Sequence, residues 1–335
     1  MSADLPVFAD VVAALGRIGP HLLRTPVVRS DAFDARCGRR VFFKCENLQR
    51  GGAFKYRGAL NAVLQLRAGE ATCVATHSSG NHGAALALAA RARGLRAFVV
   101  MPRDSARVKI AAVERAGARV ITCEPGLPAR EAALAQLLQR ERAHLVHPFD
   151  DVRVIAGQGT AVLELLGEVP VLDVVSAPVG GGGLIGGTAL VVKTVLPRCR
   201  VIAAEPAAVD DAQRSLGSGV RASAGTTPTI ADGLRASIGE RGFQLLRAYV
   251  DAVVTVSETE IIAAMRIALE DLKLLIEPSA AVPLAALLQG AVGAAGERVG
   301  VIISGGNVDL DRCSFLGQGA PASGLAAARP ARCQG

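Results

Sequence analysis

The feature that most constrains this chain is a repeated alternation. Short β-branched runs are followed by Ala- and Leu-rich stretches of helical spacing, and several runs end directly in Gly, Ser or Asn. A strand followed by a helix before the next strand cannot form a tight hairpin with it; it returns in parallel, with helices packed on both faces of the sheet. The expected fold class is α/β, made of doubly wound open sheets. Strands are expected at 41–45, 73–76, 97–101, 120–123, 171–177, 201–204, 253–256 and 299–303. In such sheets ligands bind beyond the carboxyl ends of the strands, so the junctions with Gly, Ser and Asn are where chemistry is expected.

The 335 residues suffice for two lobes. A small lobe over 70–150 is expected between the halves of a larger one, 1–69 and 151–316. From 317 to 335 the chain is rich in Gly, Ala, Pro and Arg without an apolar period, as a loose tail would be. With 50% apolar and 20% charged residues, the chain reads as a globular enzyme. Seven scattered cysteines, with no CxxC pair, suggest buried reduced thiols rather than disulfides or zinc. The net charge of +7 is spread among acidic residues and aromatics make up only 3%, which argues against a nucleic-acid partner and for a surface that attracts anionic substrates. Residues 1–6 carry no export signal, so a cytoplasmic location is expected. Apolar stretches are interrupted too early for a membrane span.

Four segments carry candidate chemistry. Residues 46–58 leave a strand, turn on Gly51 and Gly52 and enter a helix with Lys55 at its start. There the helix dipole and burial both disfavour the ammonium form, leaving an amine able to form a Schiff base; a lone lysine on a solvated first turn is the simpler alternative. Residues 76–83, with Ser78, Ser79, Asn81 and His82, join a strand to an Ala-rich helix and suit a carboxylate, beyond what a helix cap needs. Gly180, Gly181, Gly182 and Gly183 follow a strand and open a helix, as a phosphate loop does. Gly181, Gly183 and Gly186 also fit GxGxxG, with Glu205 nineteen positions later, so a nicotinamide-dependent oxidoreductase stays open at this point. Last, residues 303–307 place Ser304 at the end of the final strand, either in a plain turn or beside a cofactor ring.

Taken together and in this order, the segments resemble the fold-type II pyridoxal-phosphate enzymes, in the serine/threonine dehydratase and serine racemase family, from about residue 25 to 309. Tyr56-Arg57-Gly58 after the lysine favours the dehydratase branch over the related sulfhydrylases. The resemblance implies that Lys55 holds pyridoxal 5′-phosphate as a Schiff base, that Phe54 lies beside the ring and that Asn81 bonds its 3′-oxygen. Gly180 to Gly183 would grip the phosphate, and Ser304 would face the ring nitrogen without forcing its protonation. The substrate carboxylate would sit among Ser78, Ser79, Asn81 and His82. The reaction implied is loss of water from L-serine, L-threonine or threo-3-hydroxyaspartate to give a keto acid and ammonia.

The same resemblance leaves finer choices open. Ser79 stands where racemases have a hydroxyl on the ring face opposite the lysine, so it would either transfer a proton in racemisation or bond the carboxylate. Arg130 stands where racemases place an arginine near substrate and would pair with a second carboxylate, unless it is a solvated helix residue. Glu205, the carbonyl of Val209 and Asp211 resemble a divalent-metal site suited to Mg²⁺, Ca²⁺ or Mn²⁺, or else decorate a helix start. Phe149 and Ala236 replace an Asn and a Ser of mammalian racemases, which leans toward a microbial dehydratase. A homodimer is expected, and a non-catalytic sensor is the remaining alternative.

Overall fold

The computed structural model describes residues 4–313 other than 68, 79, 106 and 226, so Ser79 and the expected tail at 317–335 lie outside the described residues. Ten strands appear among these residues: β1 Val27–Val28, β2 Arg40–Cys45, β3 Cys73–His77, β4 Arg96–Pro102, β5 Ala118–Cys123, β6 His144–Leu145, β7 Val174–Pro178, β8 Arg200–Pro206, β9 Ala252–Val256 and β10 Arg298–Ile303. They form a six-stranded sheet in the order β1-β2-β10-β7-β8-β9 and a four-stranded sheet in the order β5-β4-β3-β6. All neighbours run parallel except β1 and β2.

Each predicted run falls on a strand, although β7 begins at Val174 rather than Val171. The two strands not foreseen, β1 and β6, have two residues each, too few for any periodic pattern.

Alternation along the strands explains how both faces of the large sheet are covered. Val175, Ala177, Val201 and Ala203 enter one apolar core, whereas Val174, Ile202 and Ala204 enter the other. In the four-stranded sheet, Val74, Val99 and Met101 face one core, and Cys73, Ala75, Phe98 and Val100 the other. The first of these cores is completed by Tyr56, Leu60 and Val63 from the helix Lys55–Leu64. Lys55 therefore begins a helix wedged between the two sheets. The six described cysteines are free and buried. No helix among the described residues is long and apolar enough to cross a membrane.

A buried ionic network fixes that helix. Arg57, with no exposed surface, donates through Nε and Nη2 to Glu46 at 2.7 and 2.8 Å and through Nη1 and Nη2 to Glu164, both at 2.8 Å. Lys44, also fully buried, lies 2.8 Å from Glu164, and Thr25 donates to Glu46 at 2.6 Å. Two cations meet two carboxylates, so the cluster is neutral as a whole. Removing one member strands the others. Arg57→Met is expected to lower unfolding stability by about 3–5 kcal/mol, measured by urea denaturation. A loss below ~1 kcal/mol, typical of an exposed pair, would contradict this account.

Candidate active site

The end of β10 clamps the start of the lysine helix. Phe54 N–H donates to the carbonyl of Ser304 at 3.0 Å, Ala53 bridges Gly305, and Gly306 N–H donates to Gly52 O at 2.9 Å. Asn307 Nδ2 adds a bond to Gly51 O at 2.7 Å. The first and fourth sequence segments are thus one unit. Phe54 and Ser304 are buried, and Lys55 follows them into the cleft, its Nζ 5.1 Å from the Phe54 ring centre.

Lys55 Nζ donates to the carbonyl of Pro148 at 2.8 Å. Burial lowers its pKa from 10.5 to about 8, against the charge of Glu277, which raises it. The residue as a whole is half-buried. The helix start suggested by the sequence is confirmed at Lys55, and desolvation is the dominant cause of the shift.

The glycine loop lies against the residue next to Pro148. A Cβ at Gly181 would fall 2.2 Å from the Phe149 ring, so only glycine permits this approach. Gly182 has φ 88° and precedes the helix Gly183–Val195, in a left-handed conformation that favours glycine. Gly180 faces the backbone of Leu234. The loop leaves bare backbone at a helix N-terminus, which fits a phosphate group.

The second segment enters from β3. Ser78 is buried, and its Oγ accepts from Gly80 N–H at 3.1 Å, so in this arrangement that donor is already engaged. Asn81 opens the helix Asn81–Ala92; its Nδ2 donates to both oxygens of Glu277 at 2.8 and 3.0 Å, while its Oδ1 accepts from Asn307 at 3.0 Å. The whole amide is therefore oriented. His82 is buried, with Nε2 3.2 Å from Val146 O; because a carbonyl only accepts, Nε2 carries the hydrogen and Nδ1 is left buried without a partner. Burial, followed by the charge of Lys55, pushes its pKa well down, so the ring is neutral.

Glu277 was not singled out from the sequence. It precedes Pro278 at a helix start, where an acidic residue reads as an ordinary cap. The structure buries it, and burial raises its pKa to about 7, against the charge of Lys109 and the bond from Asn81. Only the apolar run before it, Leu274-Leu275-Ile276, hinted at burial.

Arg130 lies on the helix Leu127–Glu141 with a buried Nε that has no partner. Its charge acts on His77, whose pKa falls to about 4, first through burial and then through His147 and Arg130. His77, His147 and Phe149 stack edge to face, with ring centres 6.0 and 4.7 Å apart.

Glu205, Val209 and Asp211 form a separate buried group. Glu205 accepts from Gln213 N–H at 2.7 Å and Ala212 N–H at 3.2 Å, and Asp211 accepts from Ile238 N–H at 2.8 Å. Burial raises the pKa of both carboxyls, Glu205 to about 8, with neighbouring acids adding to each shift. Among the described residues no group of three or more His, Cys, Asp and Glu converges as a metal site; this set has two carboxylates, with a carbonyl as its third donor.

The chain is similar to known proteins in sequence and in fold. The family model described as pyridoxal-phosphate dependent enzyme matches residues 18–305. A β-hydroxyaspartate dehydratase from Paracoccus denitrificans is 46% identical, covering 92% of this chain and 98% of the relative. A serine racemase from Arabidopsis thaliana is also 46% identical, covering 90% and 94%. The solved structure of maize serine racemase superposes with a TM-score of 0.90 at 40% identity, over 93% of this chain and 97% of the other.

The neutral amine of Lys55 is the form that attacks an aldehyde, and it grows as pH rises through about 8. Loading of the apo protein with pyridoxal phosphate is expected to accelerate about tenfold per pH unit below that point and to level off above it, followed by visible absorbance. Glu277 raises the lysine pKa, so Glu277→Gln should move the midpoint to lower pH. A midpoint that stays put or rises would contradict the assigned electrostatics.

Proposed function

The chain belongs to the family of pyridoxal-phosphate-dependent enzymes, and from that premise we propose that it is an ammonia-lyase that removes water from β-hydroxy amino acids, threo-3-hydroxyaspartate above all. The nicotinamide alternative left open by the glycine spacing falls with that membership. The observation that carries the reading is Lys55, whose amine lies on Pro148 O with a pKa brought down to about 8. Such a group takes up and returns a proton near neutral pH.

When bound, pyridoxal phosphate supplies the electron-withdrawing ring that acidifies the substrate Cα–H. The chain's residues do the rest. Lys55 removes the Cα proton; backbone N–H groups of Gly180 to Gly183 would hold the phosphate, and Phe54 would lie beside the ring. Asn81, whose amide is held by Glu277 and Asn307, would reach the 3′-oxygen by giving up one of its Glu277 bonds, and Ser304 would meet the ring nitrogen as a neutral partner. Ser78, Ser79 and Asn81 would carry the substrate carboxylate, His82 contributing through its backbone N–H because its ring Nδ1 has only a lone pair to offer.

Arg130 receives the second carboxylate of hydroxyaspartate. Its unpartnered Nε supports this assignment, since a buried guanidinium donor without an acceptor is costly unless a ligand completes it. The similarity to a β-hydroxyaspartate dehydratase points the same way. Similarity to serine racemases supports a second reading on the same site, with Ser79 transferring a proton to the opposite ring face.

Glu205, the Val209 carbonyl and Asp211 would hold Mg²⁺, Ca²⁺ or Mn²⁺. Two buried carboxyls whose pKa values are raised by burial and then by neighbouring acids, Asp211 and Asp210 for Glu205 and Asp210 for Asp211, gain from a cation, so the donor set fits a hard divalent ion. The assembly is proposed to be a homodimer, as the resemblance implies, acting on a free amino acid.

Keto-acid release from serine, threonine and both threo-3-hydroxyaspartate enantiomers, with and without Mg²⁺, tests the substrate assignment directly. Lys55→Ala should abolish turnover of all of them and the borohydride-fixed label on this residue; substantial residual turnover would remove its role. Arg130→Ala should cut hydroxyaspartate turnover relative to serine by roughly 10- to 100-fold. An unchanged ratio would refute the second-carboxylate role. Ser79→Ala should depress racemisation more than elimination, and equal losses would leave it as a carboxylate ligand.

A further inference from the structure

We propose that Lys109 and Asp232 form a latch that holds the cleft closed over bound substrate, and that opening this ion pair admits substrate and releases product. The proposal rests on the reading above in taking an amino-acid carboxylate as the ligand of the Ser78–His82 nest and residues 70–150 as a lobe.

Lys109 belongs to the helix Arg107–Arg115, beside the four-stranded sheet, and Asp232 to the short turn Asp232–Leu234 on the side of the larger sheet. Lys109 Nζ contacts Asp232 Oδ2 directly. The two side chains are only 11% and 27% exposed, so solvent screens them less than a surface pair. The other ion pairs made by residues 73–145 stay within that segment or reach back to Glu70, among the described residues. Lys109–Asp232 is thus the charged contact that crosses between the layers.

Its place in the site is specific. The Lys109 methylenes lie across Gly80 so closely that a Cβ there would come within 2.7 Å of Lys109 Cδ. On the opposite side, Leu234 Cα lies 3.0 Å from where a Cβ of Gly180 would be. The pair therefore ties the residue that opens the carboxylate nest to the backbone that supports the glycine loop. Neither side chain is assigned to substrate or cofactor; both are positioning residues, acting through the two loops they join.

The test uses the cofactor-loaded enzyme and glycine, an amino acid with the same carboxylate but no β leaving group, whose Kd is read from the visible spectrum. Lys109→Met and Asp232→Asn are each expected to raise the glycine Kd and the KM for hydroxyaspartate about tenfold, with kcat within about twofold. Faster hydrogen exchange in residues 107–115 of the apo protein should accompany both. Lys109→Arg should behave as wild type, and the charge-reversed pair Lys109→Asp with Asp232→Lys should recover Kd to within about threefold. Unchanged Kd in both single variants would overturn the latch, as would a reversed pair no better than either of them. If the wild type eliminates water from no hydroxy amino acid while glycine binding follows this pattern, the lyase assignment fails and the latch stands.

Discussion

Everything in the cleft depends on how Arg57 is buried. A guanidinium with no exposed surface would be prohibitive alone. Burial is the largest single influence on it and works against the charge, yet Glu46 and Glu164 together leave its pKa raised. The same two-sided pairing holds Glu164 ionised despite its own burial, through Arg57 first and Lys44 next. An apolar cluster of equal volume could be at least as stable. What it would lack is direction: the forked bonds define where the end of β2, the first turn of the Lys55 helix and the helix Val152–Glu168 must lie relative to one another. Lys55 is two residues from this anchor, and its amine inherits a fixed origin.

From that origin the two sheets divide the work. The larger sheet contributes the tip of β10 and the glycine loop, both backbone surfaces with small residues and little freedom. The four-stranded sheet contributes the Ser78–His82 turn and, through its helices, Arg130 and Lys109. The helix that starts at Lys55 packs into the core of the four-stranded sheet while its N-terminus is stitched to β10. The proposed lysine and phosphate loop thus lie on backbone tied to the larger sheet, and the proposed substrate groups on the elements of the smaller one.

Much of this could be read from the chain alone, for identifiable reasons. Eight strands were visible because β-branched runs of four or more residues leave a signal; the pairs Val27–Val28 and His144–Leu145 are too short to leave one. The four motif segments stood out because Gly, Ser and Asn gather where strands end. Glu277 did not, since its importance comes from burial against Asn81 across 196 positions of sequence. Lys109 and Asp232 were equally silent: a lysine on an amphipathic helix and an aspartate in a loop are ordinary until the fold sets one against the other. Sequence shows where backbone geometry is unusual, whereas long-range pairing of common side chains appears only once the sheets are assembled.

The charge balance of the cleft follows from these placements. Burial drives the pKa values of His77, His82 and His147 down, so the three imidazoles near Lys55 are neutral at pH 7 and compete with it for neither proton nor anion. Arg130 and Lys109 are both held by the smaller sheet's helices, and Lys109 is already matched by Asp232. Arg130 keeps a buried Nε without a partner, and its charge acts on His77. Under the proposed assignment, an amino acid with one carboxylate would be matched by neutral dipoles beside Ser78 and Asn81, and a second carboxylate would meet a full charge at Arg130. Under the proposed reading, a preference for an acidic hydroxy amino acid would arise from keeping the histidines uncharged as much as from supplying the arginine, because a protonated His77 would attract any anion without regard to its shape.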